Sequence, residues 1–120
     1  MGNPKSIQNM LRSAGHESKM ISSFDELNEQ ITKIILPGVG SFDEFMRQLE
    51  NFGFIEILNE LALKKRIPVL GVCLGMQILF ESSEEGIKTG LSWIPGKVIK
   101  FDSKDLENNL PIRIPHMGWN

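Results

Sequence analysis

Short unbroken apolar blocks alternate along this chain with longer stretches in which apolar residues recur three and four positions apart. Such blocks read as buried strands, and stripes at that spacing read as helices packed against them. The first stripe, Ile7, Met10, Leu11 and Ala14, lies behind Asn3 and Pro4 and ahead of Gly15. Asn suits an N-cap, Pro a first helical turn and Gly a helix stop, so a helix is predicted between Asn3 and Gly15. Ser18 to Ser22 reads as a short strand. The capping-box spacing of Ser23 and Glu26 predicts a short helix from Phe24 to Gln30.

Lys33-Ile34-Ile35-Leu36 is a compact apolar strand that Pro37-Gly38-Val39-Gly40 breaks sharply. The next stripe puts Phe42, Phe45, Met46, Leu49 and Phe52 on the buried side of a helix. Gly53 interrupts it, and a second helix is expected from about Ile55 to Lys65, with Ile57, Leu58, Leu61 and Ala62 inward. Ile67 to Val72 is a second apolar strand; Cys73 follows at once, and another helix is expected near Gly75 with Ile78 and Leu79 facing in. From Ser83 to Ser92 the chain is polar and reads as a loop. Lys97 to Phe101 and Ile112 to Ile114 read as β segments joined by an acidic turn around Asp102 to Asn109. Apolar strands alternating with helices predict an α/β layer structure with a mostly parallel sheet. The late β segments, which lack helices, suggest an antiparallel extension.

Composition narrows the function classes. The 120 residues allow one domain. At 41% hydrophobic and 23% charged the chain has the balance of a folded soluble domain, not of a disordered one. A net charge of -2 gives no basic footprint for nucleic acid. No apolar run approaches the ~20 residues of a membrane-spanning helix. The N-terminus has no basic-then-apolar leader, so a cytoplasmic protein is expected. One cysteine permits neither an internal disulfide nor a multi-cysteine metal site, and no cofactor or metal is expected.

That cysteine sits in Gly71-Val72-Cys73-Leu74-Gly75, at the end of a buried strand that passes directly into a predicted helix. This is a nucleophile elbow of G-x-C-x-G form, the thiol counterpart of G-x-S-x-G. A tight strand-to-helix turn, usually strained, lifts the side chain out of the sheet. Glycines two residues to either side let neighbouring backbone pass without a Cβ clash. The following helix points its N-terminal dipole at the sulfur, which favours the thiolate. The plain structural alternative is a buried cysteine beside packing glycines. Pro37-Gly38-Val39-Gly40-Ser41 is a second strand-end turn whose backbone N–H groups suit a developing oxyanion, a tight turn or a weak phosphate cradle. His116, in Pro115-His116-Met117-Gly118-Trp119-Asn120, is a candidate base for Cys73 or a loop histidine with a structural or interface role. His16 follows a helix stop in a polar stretch and reads as surface loop.

Taken together, these residues resemble a known family. The segment from Gly71 to Gln77 (Gly-Val-Cys-Leu-Gly-Met-Gln) is similar to the nucleophile motif of class I, triad-type glutamine amidotransferases. With Leu36-Pro-Gly-Val-Gly-Ser-Phe42, Pro115-His-Met-Gly-Trp-Asn120 and the opening Gly2-Asn3 with Ser6, the chain looks most like the glutaminase subunits of imidazole glycerol phosphate synthases. The resemblance implies a flavodoxin-like three-layer α/β/α fold. It implies hydrolysis of glutamine to glutamate and ammonia through a Cys73 thioester. Gly38, Val39, Gly40 and Leu74 would form the oxyanion hole, and Gln77 would help to hold glutamine. Ammonia would pass to a (β/α)₈-barrel cyclase partner in a heterodimer serving histidine biosynthesis. Asn3, His116, Met117, Gly118, Trp119 and Asn120 would lie toward that partner.

Members of this family begin with a β-strand before the Gly-Asn segment and continue to a late His-x-Glu that completes the triad. Neither is present here, so a fragment lacking the base is expected, with His116 belonging to the earlier motif. Such a chain alone is expected to be inactive and poorly stable. A paralogous glutaminase serving another amidotransferase, such as one aminating surface-polysaccharide sugars, shares these motifs. A non-catalytic docking module and a redox protein with an elbow cysteine are the readings of other classes. Gln77 and the His-Met-Gly-Trp segment weigh against the redox protein.

Overall fold

A computed structural model describes residues 4–27 and 30–101. Asn3, the acidic turn from Asp102 to Asn109 and the expected strand from Ile112 to Ile114 lie outside the described residues. Helix α1 spans Pro4–Ser13. Gly15, at φ +80°, turns the chain so that the His16 N–H reaches back to the Leu11 carbonyl at 2.9 Å. None of the helix is buried. Ser18 to Ser22 does not form a strand: no neighbouring strand offers it a ladder among the described residues. The capping contact at Ser23 does form, since Glu26 Oε1 accepts the Ser22 and Ser23 N–H groups at 3.1 and 3.3 Å. Among the described residues, a single 3₁₀ turn, Phe24–Glu26, follows it. A cap closes a first turn, but propagation depends on packing.

Strand β1 is Ile34–Gly38 and runs parallel to β2, Val69–Cys73. It continues through Pro37, where a break was expected. The Ile34 N–H points to the β2 side, bonding the Pro68 carbonyl at 2.9 Å. Along a strand the direction alternates, so the missing N–H of Pro37 faces away from β2 and no bond of this ladder is lost. Between the strands come α2, Phe42–Asn51, and α3, Phe54–Asn59, whose last turn widens into a π-helical turn over Glu60–Lys64. Ser41 caps α2 by accepting the Glu44 N–H, and Asp43 and Glu44 in its first turn suit the helix dipole. Phe42, Met46 and Leu49 are buried as the stripe predicts. Phe52 is not: it lies beyond the last turn of α2 and is 55% exposed.

The largest departure follows Cys73. The expected helix is a single turn, α4, Leu74–Gln77, followed by β3, Phe80–Ser83. The carbonyls of Ile78, Leu79, Phe80 and Glu81 accept N–H groups from Leu91, Trp93 with Ile94, Ser92 and Gly90, and so leave the helical path. Strand β4 is Ile94–Val98, earlier than expected, and pairs in parallel with β3; the other late segment of the expected antiparallel extension lies outside the described residues. The loop between them explains the direction. It is clamped on α2 and returns to the start of β3. Asp43 Oδ1 accepts the Ile87 and Lys88 N–H groups, both at 2.9 Å, and Lys88 Nζ pairs with Glu50 at 2.6 Å. The Trp93 indole N–H donates to Asn59 Oδ1 at 2.6 Å. Replacing Asp43 by Ala should cost about 1–3 kcal/mol and raise amide exchange at Ile87 and Lys88, with α3 unaffected. Unchanged exchange at those amides would show that the clamp does not hold the loop.

The core joins Phe42, Met46, Leu49, Leu58, Leu61, Leu74, Ile78, Leu79 and Leu91 beneath Ile34, with Phe42, Leu74 and Ile78 wholly enclosed. Each such side chain contributes about 1.5–3 kcal/mol on burial. Leu70 and Val72 stay 58% and 39% exposed, so one face of the β1–β2 pair is uncovered. Three surface carboxylates sit below the usual range: Glu26 through Lys19 and the Ser22 N–H, Glu44 through Arg47 and Gln48, and Glu84 through the Lys100 N–H. A carboxyl with a lowered folded pKa stabilises the fold above its unfolded value and loses that support as pH falls through the folded one. The melting temperature should therefore hold toward neutral pH and fall below about pH 4.5. A melting temperature that rises on acidification would contradict these three assignments.

Candidate active site

Cys73 is the last residue of β2 and immediately precedes α4. Its backbone lies at φ +56°, ψ -118°, a conformation that L residues hold only under constraint, at about 1–3 kcal/mol. The side chain is exposed, which sets aside the buried-filler alternative. The motif's glycines are explained by close approach. A Cβ at Gly71 would lie 2.5 Å from the Gly75 carbonyl oxygen and 2.5 Å from Met76 Cα. A Cβ at Gly75 would fall on the Leu36 carbonyl oxygen. α4 is thus pressed flat against both strands, and only hydrogen fits at those two positions.

Parallel register brings the second glycine segment to the same place. Gly38 pairs with Cys73, and a Cβ on it would lie 2.6 Å from the Gly75 nitrogen and 2.9 Å from Leu74 Cβ. The structure therefore brings together Gly38, Cys73, Leu74 and Gly75. Val39 and Gly40 follow at the end of β1, both exposed, with Gly40 at φ +104° and open space around it. Leu74 is 2% exposed, so it anchors the elbow in the core. A helix's first turn has no intrahelical acceptor for its N–H groups, and here that turn begins beside the sulfur. With α4 only one turn long, these N–H groups carry the electrostatics, not a long helix dipole. The arrangement can present a thiol to the carbon, and backbone donors to the oxygen, of one carbonyl group.

Gln77 ends α4 and is half-buried. Its Oε1 accepts the Ser83 hydroxyl at 3.0 Å. Sequence reasoning left Ser83 at the edge of a polar loop, and nothing in the pattern marks it. The same holds for Asp43, whose loop contacts are 44 and 45 residues away in sequence. His16 is exposed, just past the turn at Ala14 and Gly15. Asn3, His116, Met117, Gly118, Trp119 and Asn120 lie outside the described residues. Among the described residues no cluster of His, Cys, Asp and Glu would hold a metal ion, and no helix is long and apolar enough to cross a membrane.

Comparison with known proteins identifies the family. The glutamine amidotransferase class-I family model matches residues 1–120. The imidazole glycerol phosphate synthase subunit HisH of Leptospira interrogans is 48% identical over 120 residues, all of this chain and 57% of that protein. HisH 2 of Methanococcus maripaludis is also 48% identical, over all of this chain and 56% of its own length. HisH 2 of Pseudomonas aeruginosa is 43% identical, with 56% of its length covered. The chain thus spans just over half the length of these relatives. With a thiol on a constrained elbow, a paired glycine turn beside it and a family match from end to end, the chain belongs to the class I glutamine amidotransferases.

Proposed function

We propose that this chain carries the nucleophile-bearing part of a glutaminase that supplies ammonia to a cyclase partner making imidazole glycerol phosphate in histidine biosynthesis. The observation that carries the reading is Cys73, exposed and held at φ +56° where β2 turns into α4, with Gly38 beside it. The relatives' names, subunits of imidazole glycerol phosphate synthase, support the product and the need for a further subunit.

In the proposed reaction, Cys73 Sγ attacks the side-chain amide carbon of glutamine. The C=O electron pair moves to oxygen, where backbone N–H groups of Leu74 and of the Val39-Gly40 turn that follows Gly38 receive it. Collapse breaks the C–N bond, and the nitrogen leaves as ammonia after gaining a proton. Water then cleaves the thioester, giving glutamate and the free thiol. Gln77 holds the substrate. A general base outside the elbow takes and returns the protons, a contribution of about 10²–10⁴-fold.

The test uses the full-length polypeptide carrying these residues, together with its cyclase partner. Glutamine should yield ammonia, and the electrophilic glutamine analogue 6-diazo-5-oxo-L-norleucine should label Cys73 in preference to iodoacetamide. Cys73→Ser should remove both. Ammonia release that survives Cys73→Ser, or a thiol with no preference for the analogue, would refute the proposal.

A further inference from the structure

Ser83 is the one buried polar side chain among the described residues, at 3% exposure. Two bonds engage its hydroxyl. Oγ accepts the Glu85 N–H at 3.2 Å and donates to Gln77 Oε1 at 3.0 Å. The backbone of Ser83 is itself fixed. It pairs with Val98 in the β3–β4 ladder, and its carbonyl accepts the Gly86 N–H at 3.2 Å, closing a tight turn. The hydroxyl is thus a rigid post beneath the end of α4.

A serine hydroxyl carries one proton. With the Glu85 N–H already pointing at the oxygen, that proton needs an acceptor, and Gln77 Oε1 is the one in reach. Turning the carboxamide over would set its NH₂ against the oxygen and leave the buried hydroxyl proton without a partner, which is unfavourable. The contact therefore selects one of two carboxamide orientations. With Oε1 turned in, both Nε2 protons remain available on the other side of the group.

We propose that Ser83 is a positioning residue: it fixes the Gln77 carboxamide so that Nε2 donates to an oxygen of the substrate glutamine. This rests on the proposed function, in which Gln77 holds that substrate. Ser83 itself touches neither the substrate nor the reacting atoms. Its effect belongs in substrate binding, not in the chemical step.

The experiment compares Ser83→Ala, Gln77→Ala and the double variant in the full-length polypeptide with its partner. Ser83→Ala should raise KM for glutamine about tenfold with kcat nearly unchanged, as expected for lost uniform binding. In the Gln77→Ala background the same change should add less than about twofold, because the two residues act as one unit. Ser83→Thr, which keeps the hydroxyl, should restore most of the affinity. If Ser83→Ala does not fold, Ser83→Cys, close in size with a weak donor, should show the same KM shift. Independent multiplicative losses, or a drop in kcat at constant KM, would overturn the proposal.

A second readout does not depend on turnover. The side-chain NH₂ resonances of Gln77 in a ¹⁵N spectrum should move and broaden in Ser83→Ala. Unmoved resonances overturn the positioning role even in an active enzyme. Moved resonances in a protein that does not hydrolyse glutamine overturn the functional reading, and the substrate role with it, while leaving the local contact established.

Discussion

Replacing Cys73 by glycine should make the protein more stable and abolish the proposed activity. The backbone there is held at φ +56°, ψ -118°, which costs a residue with a Cβ about 1–3 kcal/mol. Glycine has no such penalty at positive φ. It does add freedom to the unfolded chain, worth about 0.5–1 kcal/mol against the fold. The side chain is exposed, so little burial is lost. Relief of strain outweighs the added freedom, and a net gain of about 1 kcal/mol is expected. The same change removes the attacking atom, and loss of a nucleophile costs about 10⁴-fold or more in turnover. A denaturant titration and an ammonia assay on wild type, Cys73→Gly and Cys73→Ala separate the two effects. Cys73→Ala should lose activity without the gain in stability. If Cys73→Gly proves less stable than Cys73→Ala, the elbow is not strained at this residue.

The second large effect is expected at Gly75. Gly75→Ala would put a methyl group on the Leu36 carbonyl oxygen, where neither backbone gives way easily. Overpacking costs about 1–3 kcal/mol and sometimes more. With β1 and α4 both forced to move, about 3–5 kcal/mol is expected here. That is a large share of the ~5–15 kcal/mol available to a domain. Gly40→Ala is the control. It has open space around it and only its φ of +104° to strain, so it should cost about 1 kcal/mol. Equal midpoints for the two variants in urea would mean that β1 and α4 are not in contact. The spacing from Gly71 to Gly75 is thus a packing requirement, and the position of the thiol follows from it.

Much of this was legible in the chain. The stripe Phe42, Met46 and Leu49 predicted α2 and its buried face, because helical periodicity is a local property that survives tertiary packing. The blocks at Ile34 and Val69 predicted the paired strands, and Gly15 predicted the helix stop. G-x-C-x-G predicted a constrained cysteine between strand and helix, since each residue of the motif answers a steric demand at that turn. What failed were elements that depend on a distant partner. Ser18 to Ser22 reads as a short strand but has no ladder to join among the described residues. The segment after Gln77 has helical apolar spacing at Ile78 and Leu79, yet its carbonyls bond residues 90–94 and it becomes β3.

The sequence alone marked the candidate chemistry and the family: a thiol at the end of an apolar strand, glycines where backbones approach, and motifs shared with the class I glutamine amidotransferases. Spacing along a few residues fixes such features, because steric exclusion and hydrogen-bond geometry act at short range. Only the tertiary structure decided that Gly38 stands beside Cys73, that the late strands run parallel, and that the Ser83 hydroxyl holds the Gln77 carboxamide. These depend on register and on which of several equivalent polar groups is within about 3 Å of another, which is settled when the core packs.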